Sequence, residues 1–207
     1  MTGTVSAVCV VHADVPFGRR GVVDSGIDKR PVHGPVDVHE LGIGGDHCRD
    51  TKFHGGLDQA VYAYDEAEAR YWADQLGAPV EPGRFGENLR TSGVPVTDAV
   101  IGTRWRIGTV TLEATIARKP CGTFARWMGE PGWVRRFTAR GDVGAYFRVL
   151  GSSARGDGAD ALRGPGRRGD ADSSGRARIG TEGVPRRGGG AEIVAEAMTR
   201  STTVFVS

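Results

Sequence analysis

Cys121 stands in the run Arg118-Lys119-Pro120-Cys121-Gly122, directly after the alternating stretch TLEATIA. Two cations just upstream favour the thiolate over the thiol, and the thiolate is the form that reacts or binds a soft metal. The same cysteine taken alone also fits a small buried hydrophobe. A second cluster, GDHCRDTKFHGG, brings Asp46, His47, Asp50 and His54 close together in the chain. The His47 to His54 spacing matches no standard knuckle or helical pair, so a zinc hydrolase is the weaker reading. Gly55 and Gly56 permit close backbone approach to a ligand, and His54 beside them is a candidate proton donor. Turn glycines with a surface histidine are the plain alternative. A third stretch, FGENLRTSG, reads as a dense polar loop. There Asn88 offers both a donor and an acceptor to a ligand edge, and Glu87 could orient a cation. A turn in which Asn88 bonds its own backbone explains the stretch equally well. His12, His33, His39 and Cys48 receive no role.

These residues need elements to hold them. VSAVCVVH at 5–12 is apolar and β-branched between turn residues, which predicts a buried strand. KRPVHGPVDVHELGIGGD has no helical period and predicts short strands and turns. QAVYAY reads as a strand, and DEAEARYWADQLG as the clearest helix: Asp65 caps it, Ala69, Trp72, Ala73 and Leu76 form one stripe, and Gly77 stops it. TRWRIGTVTLEATI predicts two strands about Gly108. TFARWMGEPGWVRRFTARG predicts helical stretches broken at Pro131, and AYFRVL a further strand. The pattern is mainly β with peripheral helices, an α+β chain built as a small β-barrel or curled sheet with helices packed outside.

Composition bounds the partners. The 207 residues carry a net charge of +2, which gives little drive toward nucleic acid. Three widely spaced cysteines do not make a disulfide framework and fit a reducing compartment. No apolar stretch approaches the ~20 residues needed to span a bilayer, and no basic leader precedes an apolar run. The expectation is a cytoplasmic protein with no membrane and no specific nucleic acid partner.

Taken in order, GIDKRPV, LGIGGDHCRDTKFHGGLDQAVYAY, FGENLRTSGV, IGTRWRIG, LEATIARKPC and GAYFRVL resemble the MOSC domain family, and within it the stand-alone YiiM-like bacterial branch. The resemblance implies a MOSC-type β-barrel over residues 1–150. It also implies a molybdenum cofactor, a pyranopterin dithiolene with a phosphate, and reduction of N-hydroxylated compounds such as N-hydroxylated purine bases. The alternative it leaves is a non-catalytic carrier of the cofactor or of a persulfide sulfur. Cys121 takes the place of the expected metal ligand or sulfur carrier. Lys29, Arg30, Arg118 and Lys119 are the cations that would hold the phosphate or balance the dithiolene charge, with Asn88 toward the pterin edge and His54 as proton donor. Pyridoxal phosphate belongs to a separate aminotransferase-like domain of the sulfurase relatives and is not expected in this chain. With no flavin, haem or iron–sulfur motif in the sequence, an electron-donor protein is implied; a homodimer is left open.

Residue 150 is where ordinary composition stops. Residues 151–190 contain twelve glycines and no aromatic, and every cation among them is arginine. Such a segment buries too little apolar surface to offset the cost of ordering its backbone, so residues 151–207 are expected to form a disordered Gly/Arg-rich tail. GC-rich codons give these residues in almost any frame. A one-nucleotide shift near Gly151 turns VLGSSARGDG into a run close to the family's closing strand, so a frameshift with loss of the end of the barrel is the favoured explanation, and this form would then be inactive or marginal.

Overall fold

The computed structural model describes residues 2–17 and 24–152, together with short strand segments between residues 161 and 206. Nine strands and three helices lie in residues 2–152. They are β1 (Thr2–Val15), β2 (Ser25–Pro31), β3 (Pro35–His39), β4 (Gly42–Ile43), β5 (Val61–Asp65), α1 (Glu66–Leu76), β6 (Leu89–Ser92), β7 (Arg104–Ile107), β8 (Val110–Ala117), α2 (Gly122–Met128), α3 (Trp133–Arg140) and β9 (Ala145–Ser152). A 3-10 turn, Leu57–Gln59, leads into β5.

The strands pair in the order β2-β1-β6-β5-β9-β8-β7, antiparallel throughout except for β5 with β6. The sheet is open. β1 and β7 do not pair with each other, so the closed barrel expected from the sequence is not made by the strands of residues 2–152; of the two architectures the strand pattern allowed, the open sheet is the one observed. The three-residue strand Val204–Val206 lies alongside both β7 and the start of β1. Most of residues 153–207 fall outside the described residues, and with them the expectation of a disordered tail.

Each face of the sheet has its own core. One holds Val5, Val8, Ile43, Leu89, Trp105, Leu112 and Phe147. On the other, α1, α2 and α3 bury an aromatic cluster of Tyr64, Trp72, Phe85, Phe124, Trp133 and Phe137, with ring centroids 4.7 to 5.9 Å apart. Helix α1 forms as its sequence dictates. The Asp65 carboxylate accepts from the Ala67 N–H at 2.7 Å, Ala69 and Trp72 are buried, and Gly77 closes the helix with a left-handed turn.

FGEN is the polar loop expected, but a buried one. Glu87, Asn88, Arg90 and Thr91 are buried, and Leu89–Ser92 is strand β6. The Glu87 carboxylate accepts from the Gly83 and Phe85 N–H groups at 2.8 and 3.0 Å and pairs with the Arg90 guanidinium. Arg90 in turn donates to the carbonyls of Val80 and Glu81, at 3.2 and 3.1 Å, and to Glu66. Every charge in this knot has a partner, which is the condition under which burial of charge is tolerated. Glu87→Ala should therefore take from Arg90 its closer carboxylate, leaving only Glu66 at 3.3 Å, and cost up to about 3–5 kcal/mol, read as a lowered denaturant midpoint. A change within ~0.5 kcal/mol, the ordinary range for a surface substitution, would show that the pair does not hold this segment.

Candidate functional site

Strand β8 ends at Ala117, and Arg118-Lys119-Pro120-Cys121 carries the chain across the end of the sheet into α2. Pro120 cannot continue a strand ladder, and Cys121 occupies the extended position just before the first turn of α2. The loop between β4 and the 3-10 turn comes over from the opposite side and delivers His54, with Gly55 and Gly56 both at positive φ. Between them lies a cleft of about 600 Å³, within the usual range for small-ligand sites. Lys29, His54, Asn88, Arg118, Lys119 and Cys121 all line it.

Cys121 and His54 line the same cleft, and each shifts the other's proton affinity. Burial pushes the Cys121 thiol up, but the bond from His54, the Phe124 N–H and the charges of His54 and Arg118 outweigh it and hold the thiol at about 7. His54 moves the opposite way: the bond to Cys121 raises it, with burial working against the shift. Near neutral pH the pair thus shares a proton between a soft nucleophilic sulfur and an imidazole.

Arg118 is buried to 8% exposure. Its guanidinium lies 3.9 Å from the Phe124 ring centre and 4.7 Å from that of Tyr62, and it donates to the Phe85 carbonyl. Among the described residues no carboxylate faces it. Lys119, by contrast, is exposed at the cleft mouth.

Two residues predicted to bind a cofactor stand differently. Arg30 follows Lys29 on β2, and consecutive strand residues point to opposite faces. Lys29 turns in to meet Asp46 at 2.6 Å, whereas Arg30 is 58% exposed, pairs with Asp28 and does not line the cleft. The Asn88 amide touches the cleft but is fully engaged. Its oxygen accepts from Tyr62 N–H at 3.0 Å, and its nitrogen donates to Asp46 at 2.7 Å and to the Cys9 carbonyl at 3.3 Å. Asn88 therefore works by holding Asp46, and through it Lys29, rather than by offering a free edge. His47, which lines the cleft, is tied to Asp14 at 2.7 Å. Among the described residues no three His, Cys, Asp or Glu side chains converge in a way that could hold a metal ion by themselves. No described helix is long and apolar enough to cross a membrane.

Sequence reasoning missed Tyr62, Tyr146 and Cys48 as cleft residues. The tyrosines lie in strand runs where they look like core aromatics, and only the alternation of Tyr146 with buried Phe147 could have separated them.

Residues 50–157 match the profile of the MOSC domain. The chain is 32% identical over 128 residues to the uncharacterized protein YflK of Bacillus subtilis, covering 62% of this chain and 58% of that one. It is 32% identical over 136 residues to the protein YiiM of Escherichia coli, covering 58% and 61%. The match thus spans about three-fifths of the length of these curated relatives. Among solved structures, YiiM from Geobacillus stearothermophilus superposes with a TM-score of 0.58 at 28% identity, over 78% of this chain and 74% of that one. YiiM from Escherichia coli superposes with a TM-score of 0.55 at 21% identity, over 77% and 65%, a likeness of fold.

Alkylation of Cys121 should follow its thiolate fraction, rising with pH through a midpoint near 7. Removing the His54 bond takes away stabilisation of the thiolate, so His54→Gln should move that midpoint upward, toward the ordinary thiol value of 9.0. Rates of iodoacetamide labelling against pH, followed by peptide mass, check this; an unmoved midpoint would mean that the two side chains do not interact.

Proposed function

This chain belongs to the MOSC domain family, and from that membership and the cleft around Cys121 we propose that it holds a molybdenum cofactor and reduces N-hydroxylated compounds, purine bases among them. The observation that carries the proposal is the meeting of a thiol held near 7 with a buried guanidinium that has no carboxylate partner among the described residues. A soft sulfur donor beside an unbalanced positive charge fits a group that is both a thiophilic metal complex and an anion. When bound, the cofactor supplies the two-electron chemistry that removal of oxygen from an N–O bond requires and that side chains cannot provide.

The chain's own residues do the rest. Cys121 offers its sulfur as ligand. Arg118, fixed between two rings, presents a charge that needs no reorganisation, and Lys119 at the mouth meets the anionic periphery. Lys29 is held in place by Asp46 and Asn88. His54 carries a proton at the cleft wall and supplies it to the departing hydroxyl, which leaves as water, while the nitrogen takes the second proton from solvent. The electrons come from a separate donor protein, and the setting is cytoplasmic. A carrier of cofactor or of persulfide sulfur is the second reading, favoured by the same reactive thiol.

Cofactor-loaded protein assayed with an N-hydroxylated purine and a reduced viologen separates the two. The reductase turns the substrate over. Cys121→Ser, close in volume but a poor soft-metal ligand, should lower turnover at least ~100-fold and reduce bound molybdenum with the fold intact. Bound molybdenum without turnover by any donor would leave the carrier; a Cys121→Ser protein that keeps its metal and its rate would overturn both.

A further inference from the structure

Tyr146 is fixed on both sides. Its backbone pairs with Tyr62 on β5 and with Ile116 on β8, and its ring tilts against that of Tyr62 with centroids 5.1 Å apart. The next residue, Phe147, points the other way and packs on Trp105 at 4.3 Å in the core. Alternation therefore commits Tyr146 to the cleft face, where it lines the wall with Arg118 and Cys121.

The neighbouring phenols are spent on the backbone. Tyr62 donates to the Val143 carbonyl at 2.7 Å and Tyr64 to that of Asp142 at 3.1 Å. The Tyr146 hydroxyl has no hydrogen-bond partner among the described residues; Arg118, Cys121 and Cys48 act on it only through their charges. Tyr146 is only partly buried and its hydroxyl is open to the cleft, so a ligand that displaces solvent there must take up the donor or leave it unmet. An unspent donor on the wall of a ligand cleft is satisfied by what enters the cleft. Burial raises its pKa, an effect the Arg118 charge only partly offsets, so the phenol stays protonated at neutral pH and acts as a donor.

We propose that Tyr146 is a ligand-contacting residue whose hydroxyl donates a hydrogen bond to the oxygen of the substrate's N–O group. The proposal rests on the reductase reading above for the identity of that oxygen. It divides the work between two groups: Tyr146 holds the oxygen, and His54 supplies the proton with which it leaves. Tyr146 also confers selectivity, because a base lacking the hydroxyl leaves the phenol unpaired.

Tyr146→Phe keeps the ring and removes one oxygen. Calorimetric titration of cofactor-loaded protein with an N-hydroxylated purine and with its unhydroxylated parent reads the contact directly. The wild type should hold the hydroxylated base about 5–10-fold tighter, and the variant should lose that preference with its melting temperature unchanged. Under turnover the variant's kcat/KM should fall at least ~10-fold, chiefly in kcat if the bond tightens as charge develops on the oxygen. A variant that keeps both the preference and the rate within about twofold of the wild type, less than one ordinary hydrogen bond, overturns the role of Tyr146 and leaves the reductase reading standing. A wild-type protein that binds but never turns over defeats the reductase reading, and the binding ratio then decides alone. Loss of the preference in Tyr146→Phe upholds the contact, and an unchanged or absent preference overturns it.

Discussion

The guanidinium of Arg118 ties the structure together. It leaves the end of β8, passes between Tyr62 of β5 and Phe124 of α2, and ends on the carbonyl of Phe85 in the segment before β6. One side chain thus joins the sheet, the helical layer and the buried polar segment. Its own backbone N–H donates to Gly144, where β9 begins. Burying a cation is costly unless its donors are met, and here carbonyl and ring faces meet them without cancelling the charge. The positive potential that remains is felt at Cys121, three residues on, where it adds to the larger effects of His54 and the Phe124 N–H in favouring the thiolate.

The buried polar knot behind the cleft, which reaches it through Asn88, obeys the same rule with the opposite outcome. Glu87, Arg90, Asn88 and Asp46 are paired to completion, so they set positions and leave nothing over for a ligand. Gly144 shows how tightly the wall above is drawn. Its φ is +74°, and a Cβ there would lie 2.5 Å from the Ala63 carbonyl oxygen, so β9 can approach β5 only with glycine at that point. The approach matters because Tyr62 and Tyr146 face each other across it.

What the sequence disclosed follows from which interactions are local. Asp65 and Gly77 mark α1 because caps are written within a few residues of the helix they close. Cys121, His54, Lys29, Arg118 and Lys119 stand in short motifs, and all five reach the cleft. Arg30 was misplaced because a charge pattern was read without the strand's two-residue period. Glu87 and Asn88 do lie in a loop, but their burial was hidden: the partners of Asn88, Tyr62, Asp46 and Cys9, lie far away in sequence, and nothing local shows that a polar residue will be buried. Closure of the barrel depended on one more strand, and the chain's composition changes at the point where that strand would begin.

Lys29, His54, Tyr62, Cys121 and Tyr146 reach the cleft through pairings between distant parts of the chain. Val61 pairs with Phe147, and Ser6 bonds to the carbonyl of Arg90. Closing loops of that length costs entropy before any contact rewards it, so these ladders form slowly and late. The helices and the β7–β8 hairpin can assemble on local contacts alone, and a collapsed chain holding only them would present a cysteine with neither its imidazole nor its phenol beside it. Thiol reactivity at neutral pH therefore reports the moment at which the His54 loop reaches Cys121.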